Sequence, residues 1–353
     1  MSAPADHAFL RRLGARFALI QAPMAGAGGV ELAAAAILGG AVGSLPCALL
    51  TADAIVAQAG EVRRRAKGPL NLNVFCHRLL PPPDETAWRT ALAPFYAEEG
   101  VAPTPPPPLR KPFDDAQCGA VEQVRPEIVS FHFGLPDTAL LARVKASGAI
   151  VLGNATTVAE ARHLAAQGCD AIIAQGGEAG GHAGYFLDGY SPTGLIALIP
   201  QIADATGLPV IAGGGIAEAR GVRAAIAAGA AAVQVGTAYL STPESLISAP
   251  HRALLGGAAS ARTIVTNLFS GGLARGFPNR LTDTLGAISP TAPPFPYASA
   301  ALAPLRAQAE AEGRGDYSPM WAGQAAALAR PISAAQLTAE LGAALETAQG
   351  DEA

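Results

Sequence analysis

The segment richest in functional side chains runs from residue 171 to residue 184 and reads AIIAQGGEAGGHAG. Its first four residues form an apolar run too short for a helix and typical of a buried parallel strand. Gln175 follows, and then five glycines are interleaved with Glu178 and His182. Glycines at a strand end allow positive φ angles and close approach of the backbone to a ligand. We therefore expect a ligand-binding loop instead of a flexible surface turn, with His182 as the catalytic residue.

The rest of the sequence argues against several kinds of chemistry at this loop. The chain has three lysines, at positions 67, 111 and 145, and none ends a predicted strand, so a Schiff-base aldolase is disfavoured. No pair of carboxylates follows the predicted strands, which argues against glycoside hydrolysis. The chain contains no G-x-S-x-G motif, and no cysteine lies in the loop after residue 174. A nucleophilic hydrolase is therefore not expected.

A repeating unit of helix, glycine and strand is predicted to position this loop. The predicted strands cover residues 17–24, 41–44, 70–75, 128–133, 150–152, 171–174, 209–212 and 232–235. Parallel strands joined by helices form either a doubly wound sheet or a (β/α)8 TIM barrel, and eight strands favour the barrel. A nicotinamide-binding sheet would carry G-x-G-x-x-G, and neither Gly26-Ala-Gly28 nor Gly213-Gly-Gly215 is completed by a glycine three residues later.

In such a barrel the loops after the strands meet at one face. The residues expected there are Met24, Asn73, His132, 175–184, 213–215 and 234–237. Gly215, Gly236 and Thr237 precede predicted helices and lie in loops without Lys or Arg, so a phosphate would be held by backbone N–H groups and by the φ freedom of glycine. Together with amide side chains and the histidine of the glycine-rich loop, this set describes a phosphorylated cofactor beside a single proton-handling or electrostatic residue.

The predicted barrel spans residues 17–240 and is interrupted by a proline-rich surface excursion at 78–112. Prolines at 81–83 and 103–108 flank a helical piece at 88–99, and such prolines cannot join a helix interior or a central strand. Residues 241–345 are predicted to contain no further strands and to form an α-helical and loop extension that covers the barrel mouth. Its helical segments are expected at 243–255, 298–312 and 321–329.

Composition limits the partners and the compartment. Half of the 353 residues are apolar, 15% are charged and the net charge is −4, so nothing suggests binding to nucleic acid. No secretion signal and no apolar run of roughly 18 residues is present, which predicts no membrane association. The four cysteines are scattered without metal-ligand spacing, which predicts a cytoplasmic protein with no metal site. A homodimer is compatible with this composition.

Several motifs resemble one family when they are taken together. The loop at 175–184 resembles the signature loop of the FMN-dependent nitronate monooxygenases, formerly called 2-nitropropane dioxygenases. Further similar motifs, in the same order, are QAPM at 21–24, NLNVFCH at 71–77, VSFHFG at 129–134, QVGTA at 234–238, GLARGFPNR at 272–280 and WAGQA at 321–325. The similarity covers residues 17–330 and is strongest to the bacterial class I group. The EAGGH loop by itself is shared with related FMN barrels, including some enoyl-carrier-protein reductases.

The resemblance implies a role for each matching position. FMN would be held by Met24, Asn73, Gln175, Gly180, Gly215, Gln234, Val235, Gly236 and Thr237. His182 would be the catalytic residue, and its positive form would stabilise a nitronate anion. His132 would be a second polar residue in the substrate pocket, although a histidine within a strand can also be part of the core. Asn71 shares the strand with Asn73, and only the family pattern selects Asn73.

The activity implied is the oxidation of alkyl nitronates by O2 to carbonyl compounds and nitrite. Two other hypotheses remain open at this point: an FMN-dependent NAD(P)H:quinone or enoyl-thioester reductase, and a flavin-free barrel that binds a phosphorylated metabolite. The sequence departs from close relatives after Pro296. Those relatives carry a tyrosine and a lysine beside the substrate, whereas this chain reads YASAAL at 297–302, without a lysine. The substrate class is therefore left open.

Overall fold

A computed structural model describes residues 4–104, 109–187 and 189–350 of the chain. Eight parallel strands form one sheet: β1 (Leu19–Gln21), β2 (Gly43–Pro46), β3 (Leu70–Phe75), β4 (Ile128–His132), β5 (Ile150–Ala155), β6 (Ala171–Gln175), β8 (Val210–Gly213) and β9 (Ala232–Val235). Their order is β1-β9-β8-β6-β5-β4-β3-β2, and a parallel bridge between Ile20 and Val42 brings the two edge strands together. The predicted (β/α)8 barrel is confirmed.

The barrel strands are apolar along most of their length because both of their faces are buried. Every residue of β3 is buried, including the two asparagines, and one continuous hydrophobic core extends through the barrel and the helices around it. The parallel register pairs Asn73 with Ser130 and Phe75 with His132. Polar residues at the ends of neighbouring strands therefore lie side by side at one face of the barrel.

Fourteen helices surround or extend the described barrel. They are α1 (Pro4–Leu13), α2 (Val30–Gly39), α3 (Ala52–Arg65), α4 (Thr86–Glu99), α5 (Asp115–Val124), α6 (Thr138–Ala146), α7 (Val158–Ala166), α8 (Leu195–Thr206), α9 (Ala219–Ala227), α10 (Thr237–Leu240), α11 (Ala249–Ala253), α12 (Arg280–Leu285), α13 (Ala298–Ala311) and α14 (Ala334–Gly350). Across the described part of the chain, no helix combines the length and the apolar character needed to cross a membrane.

The last helix packs against the barrel, although the chain reaches it only after the long extension. Helix α14 contacts both α2 and α9 in the outer layer. The hydroxyl groups of Thr338 on α14 and Tyr239 on α10 are 2.7 Å apart. This helix therefore completes the ring of helices around the strands.

The extension contains strands that sequence analysis did not predict. Strand β10 (Ile264–Thr266) pairs antiparallel with β11 (Ala274–Gly276), and β11 pairs with β7 (Gly181–His182) of the glycine-rich loop. The prediction that strands stop after residue 240 is therefore wrong. Each of these strands has only two or three residues, so no alternating pattern is long enough to reveal them.

Two helical predictions in the extension are also corrected. Only Ala249–Ala253 is helical in the predicted 243–255 segment. The predicted helix at 321–329 begins instead with a bridge between Trp321 and Gly276 and contains a single 3-10 turn at Ala326–Leu328. This segment lies against the barrel loops, and tertiary contacts have overridden its helix-favouring alanines.

The proline-rich excursion packs against the extension. Trp88 and Leu92 on α4 are fully buried in a second hydrophobic cluster that they share with α13, and the Trp88 indole N–H donates to the Ala298 carbonyl at 3.2 Å. The helical piece is therefore not a simple surface connector. The prolines at 105–108 lie outside the described residues.

Candidate active site

A cavity of about 580 Å³ opens at the carboxyl end of the barrel strands. This volume is within the range of roughly 300–1,000 Å³ that small-molecule and cofactor sites occupy. Its wall includes the predicted residues Met24, Asn73, His132, Gln175, Gly180, His182, Gly215, Gln234, Gly236 and Thr237. Val235 is the predicted residue that does not line it, because its side chain is buried in the barrel core. The period of two along a strand turns Val235 away from the face that Gln234 occupies.

Glycines form one side of the cavity. Gly214 has a φ of +123° and Gly215 a φ of +67°, and an added Cβ at Gly214 would lie 3.1 Å from the Ala179 nitrogen. These angles are unfavourable for other residues. Gly236 differs, since its φ is −117° and any residue can adopt it. The expectation that Gly236 is needed for its φ freedom is therefore wrong. Gly236 instead leaves space in the cavity wall, because an added Cβ would lie 3.3 Å from Ala22.

The glycine-rich loop is in close contact with the segment at 321–325. A Cβ on Gly180 would lie 2.5 Å from the Gly323 nitrogen, which leaves room only for glycine. The Gly323 N–H donates to the Thr237 hydroxyl oxygen at 2.9 Å, and the Gln324 N–H donates to the Glu178 carbonyl at 2.9 Å. The extension therefore fixes the loop backbone and orients Thr237.

Glu178 closes the other side of this loop. Both of its carboxylate oxygens lie 3.0 Å from the Leu195 nitrogen and accept the N–H at the start of α8. Acceptors at a helix N-terminus satisfy backbone donors that would otherwise be unpaired. This contact gives Glu178 an orienting role in the loop.

Polar atoms of the strand ends remain able to bind a ligand. The side-chain oxygen of Gln234 is buried and has no hydrogen-bond partner among the described residues, although Gln234 lines the cavity. A buried acceptor without a partner is destabilising by about 1–3 kcal/mol unless a ligand or water supplies a donor. Asn73 also lines the cavity and donates from its side chain to Ser130 Oγ at 3.0 Å, whereas Asn71 is completely buried and donates to Ser44 Oγ. The structure therefore brings Asn73, and not Asn71, to the cavity.

Gln175 holds the histidine loop in place through both ends of its amide. Its oxygen accepts from the Asn154 side chain at 2.9 Å and from the Gly184 N–H at 2.8 Å, and its nitrogen donates to the His182 carbonyl at 2.8 Å. One N–H of the amide is left for a ligand. Gln175 therefore positions His182 in addition to lining the cavity.

His182 is fixed by the extension. Its backbone pairs with Ala274 of β11, and its Nε2 lies 2.8 Å from the hydroxyl oxygen of Ser270. Ser270 Oγ in turn lies 3.4 Å from the Gly272 carbonyl oxygen, to which it can donate. Among the described residues the ring forms hydrogen bonds through Nε2 alone, which leaves Nδ1 for a ligand.

Burial lowers the pKa of His182 well below its ordinary value. The positive charge of Arg110 lowers it further, with smaller contributions from two neighbouring histidines. The ring is therefore a neutral imidazole at pH 7. The expectation that a positively charged His182 meets the nitronate is corrected: in this environment the cationic form is destabilised by desolvation and by like charges.

His132 lies in an aromatic cluster next to this residue. Its ring centroid is 5.2 Å from that of Phe75 and 4.5 Å from that of Phe133. Burial lowers its pKa to about 4, and a hydrogen bond with the His182 backbone acts in the opposite direction. His132 is therefore neutral as well, and the structure places it at the cavity wall instead of inside the core.

Arg110 on this wall, and Ser270 and Phe295 beside the His182 ring, were not predicted from the sequence. Arg110 comes from the proline-rich excursion, whereas Ser270 and Phe295 come from the extension, and Phe295 lies 5.3 Å from the His182 ring between centroids. None of the three follows a barrel strand, so the rule that locates strand-end residues does not find them. The only signal for Arg110 in the sequence is a basic residue two positions after a run of prolines, and this signal gives no position in space.

Comparison with known proteins relates the whole chain to one family. The family model for nitronate monooxygenase matches residues 8–343. A nitronate monooxygenase of Pseudomonas aeruginosa is 41% identical over 339 residues, which cover 93% of this chain and 96% of the relative. A nitronate monooxygenase of Paraburkholderia phytofirmans is 42% identical and covers 95% of this chain and 93% of its own length.

Solved structures show the same fold. A nitroalkane oxidase from Streptomyces ansochromogenes is 35% identical, with a TM-score of 0.89, and the match covers 98% of this chain and 99% of that one. FabK from Thermotoga maritima superposes with a TM-score of 0.75 at 23% identity. The second likeness is evidence for the fold alone.

Proposed function

Because this chain belongs to the nitronate monooxygenase family of oxidoreductases, we propose that it binds FMN and uses O2 to oxidise alkyl nitronates to carbonyl compounds and nitrite. The atoms balance when two nitronates and one O2 yield two carbonyl compounds and two nitrite ions. We also propose a reducing compartment such as the cytoplasm, since all four cysteines are free. A homodimer stays a prediction.

The described residues fit FMN in two respects. The glycines at 214–215 leave space where a Cβ would fill the wall, and Gly236 adds space beside Met24, so backbone N–H groups can approach a phosphate. The unpartnered oxygen of Gln234, together with Asn73 and the free N–H of Gln175, supplies polar groups for a planar ring system. When bound, FMN would supply the oxidation chemistry by accepting electrons from the substrate and passing them to O2.

The observation that carries the proposal is the position of His182. It is a neutral imidazole on the cavity wall, held through Nε2 by Ser270 and through its backbone carbonyl by Gln175. When Nε2–H donates to Ser270, the Ser270 hydroxyl can donate to the Gly272 carbonyl, and Nδ1 keeps its lone pair. A base with this tautomer can remove the α-proton of a neutral nitroalkane and form the nitronate in place.

The aromatic residues around this base exclude water from it. Phe75, Phe133, Phe295 and Trp321 all have ring centroids within 6.4 Å of the His182 ring. A dry environment keeps the imidazole neutral and strengthens each polar contact that the substrate makes. The alkyl part of the substrate would pack against these rings.

His182→Asn tests this proposal, because it removes the base and leaves the flavin contacts in place. We expect unchanged FMN content and a fall in kcat/KM for neutral nitroethane of about 10²-fold or more, the usual contribution of a general base. The value for preformed ethyl nitronate should fall much less, since that substrate has already lost its proton. Steady-state kinetics with both substrates measures the difference.

His163→Asn is the matched control, since His163 is exposed on α7 and does not line the cavity. It should behave as the wild type. Equal kcat/KM values for nitroethane in His182→Asn and in the wild type, with FMN retained, would show that His182 is not the base.

A further inference from the structure

Arg110 is a cation at the cavity wall whose guanidinium has no carboxylate partner among the described residues. Its guanidinium lies over the ring of Phe75 at 5.4 Å and over the ring of Phe295 at 5.5 Å. Its Nε is buried and has no hydrogen-bond partner among the described residues. The His77 Nε2 lies 3.2 Å from the backbone carbonyl oxygen of Arg110 and holds the main chain at this point.

The other arginines of the wall are neutralised by carboxylates. Arg306 pairs with Glu310 at 2.7 Å, and Arg314 pairs with Glu99 at 2.5 Å. Arg110 takes part in no ion pair with the described residues, and burial alone lowers its pKa, to about 10. It therefore keeps its charge at neutral pH. A buried charge without a partner is unfavourable, and such groups are concentrated at functional sites.

The guanidinium and the catalytic imidazole share the same aromatic neighbours. Phe75 and Phe295, which flank Arg110, have ring centroids 6.4 and 5.3 Å from that of His182. Arg110 is also the charged group with the largest effect on the pKa of His182. A substrate that contacts the imidazole is therefore within the electrostatic field of this cation.

We propose that Arg110 binds the two nitro oxygens of the nitronate and supplies the positive charge that the neutral His182 cannot provide. The planar guanidinium presents N–H donors in a fork that matches a pair of oxygens on one atom. Charge recognition and proton transfer are then performed by two different residues. The inference rests on the proposed function for the identity of the anion, and its test is chosen to be independent of turnover.

The direct test is calorimetric titration of the purified holoprotein with nitrate, a planar and unreactive oxyanion. Arg110→Gln should weaken nitrate binding about tenfold or more, the loss expected when a hydrogen-bonded charge is removed. Arg110→Lys should restore much of the affinity. Arg306→Gln is the matched control, because Arg306 lines the cavity with its charge already paired, and its affinity for nitrate should equal that of the wild type.

Kinetics adds a second readout. In Arg110→Gln the KM for ethyl nitronate should rise about tenfold, while the KM for neutral nitroethane changes little, because only the nitronate carries the charge. If Arg110→Gln does not fold, Arg110→Met replaces it, since methionine keeps a long side chain against the two phenylalanine rings.

Two results would overturn the inference. One is nitrate binding in Arg110→Gln or Arg110→Met equal to that of the wild type. The other is a KM of Arg110→Gln that rises only for a nitronate with an additional carboxylate. That result would mean that Arg110 binds the remote carboxylate and not the nitro oxygens. If the wild type binds nitrate through Arg110 but oxidises no nitronate, the anion site stands and the proposed function fails.

Discussion

The two sides of the cavity are built in different ways. On one side the glycines at 214–215 and 236 present backbone groups from loops that follow barrel strands. On the other side Arg110, from a segment outside the barrel repeat, lines the cavity together with His182. Residues of the extension hold His182: β11 pairs with its backbone, and Ser270 and Phe295 lie beside its ring. We infer that the first side binds the cofactor phosphate and the second performs substrate chemistry. Mutations should therefore separate flavin content from catalytic rate.

Replacement of Gly215 should have the largest effect. Gly215→Val places a β-branched residue at a φ of +67°, where such residues are strongly disfavoured, on the wall proposed to hold the phosphate. We expect a folded protein that is purified with almost no flavin and has almost no activity. Flavin absorbance per protein, together with circular dichroism, measures this outcome.

Gly229→Val separates backbone strain from loss of the site. Gly229 does not line the cavity and has a φ of +99°. A Cβ added at this position would have no neighbour within 4 Å. The Gly229→Val variant should therefore be less stable than the wild type but retain its flavin. Full flavin occupancy in Gly215→Val would assign the phosphate to another loop.

Replacement of Ser270 should have the smallest effect, below those of His182→Asn and Arg110→Gln. Ser270→Ala removes one hydrogen bond to His182 Nε2, which corresponds to about 1 kcal/mol or about fivefold in rate. We expect this decrease in kcat/KM for nitroethane only, with the value for ethyl nitronate and the flavin content unchanged. An equal decrease for both substrates would mean that Ser270 supports the loop and not the tautomer of the base.

The barrel and the glycine-lined side of the cavity could be predicted from the sequence because both follow local rules. Short apolar runs ending in glycine or polar residues predicted the strands, and β3 and β9 have the predicted bounds. The strand-end rule then placed Met24, Asn73 and Gln234 at one face, and the structure brings all three to the cavity. Their contacts with FMN stay predictions.

The substrate side could not be predicted because it depends on contacts between distant segments. The pairing of His182 with Ala274 joins residues 92 positions apart in a strand of two residues, and no local pattern encodes it. Arg110 reaches the cavity from a proline-rich excursion that the sequence indicates only as irregular. The neutral state of His182 likewise follows from burial and from Arg110, neither of which the sequence shows.

The most direct test of the proposed reaction is anaerobic mixing of the purified flavoprotein with either ethyl nitronate or NADPH, followed through the visible absorbance of the flavin. The sequence left a nicotinamide-dependent reductase open, and this experiment separates the two functions. We predict rapid loss of the oxidised-flavin absorbance with ethyl nitronate, its return on admission of O2, and no comparable change with NADPH. Rapid bleaching by NADPH with an unchanged spectrum in ethyl nitronate would contradict the assignment.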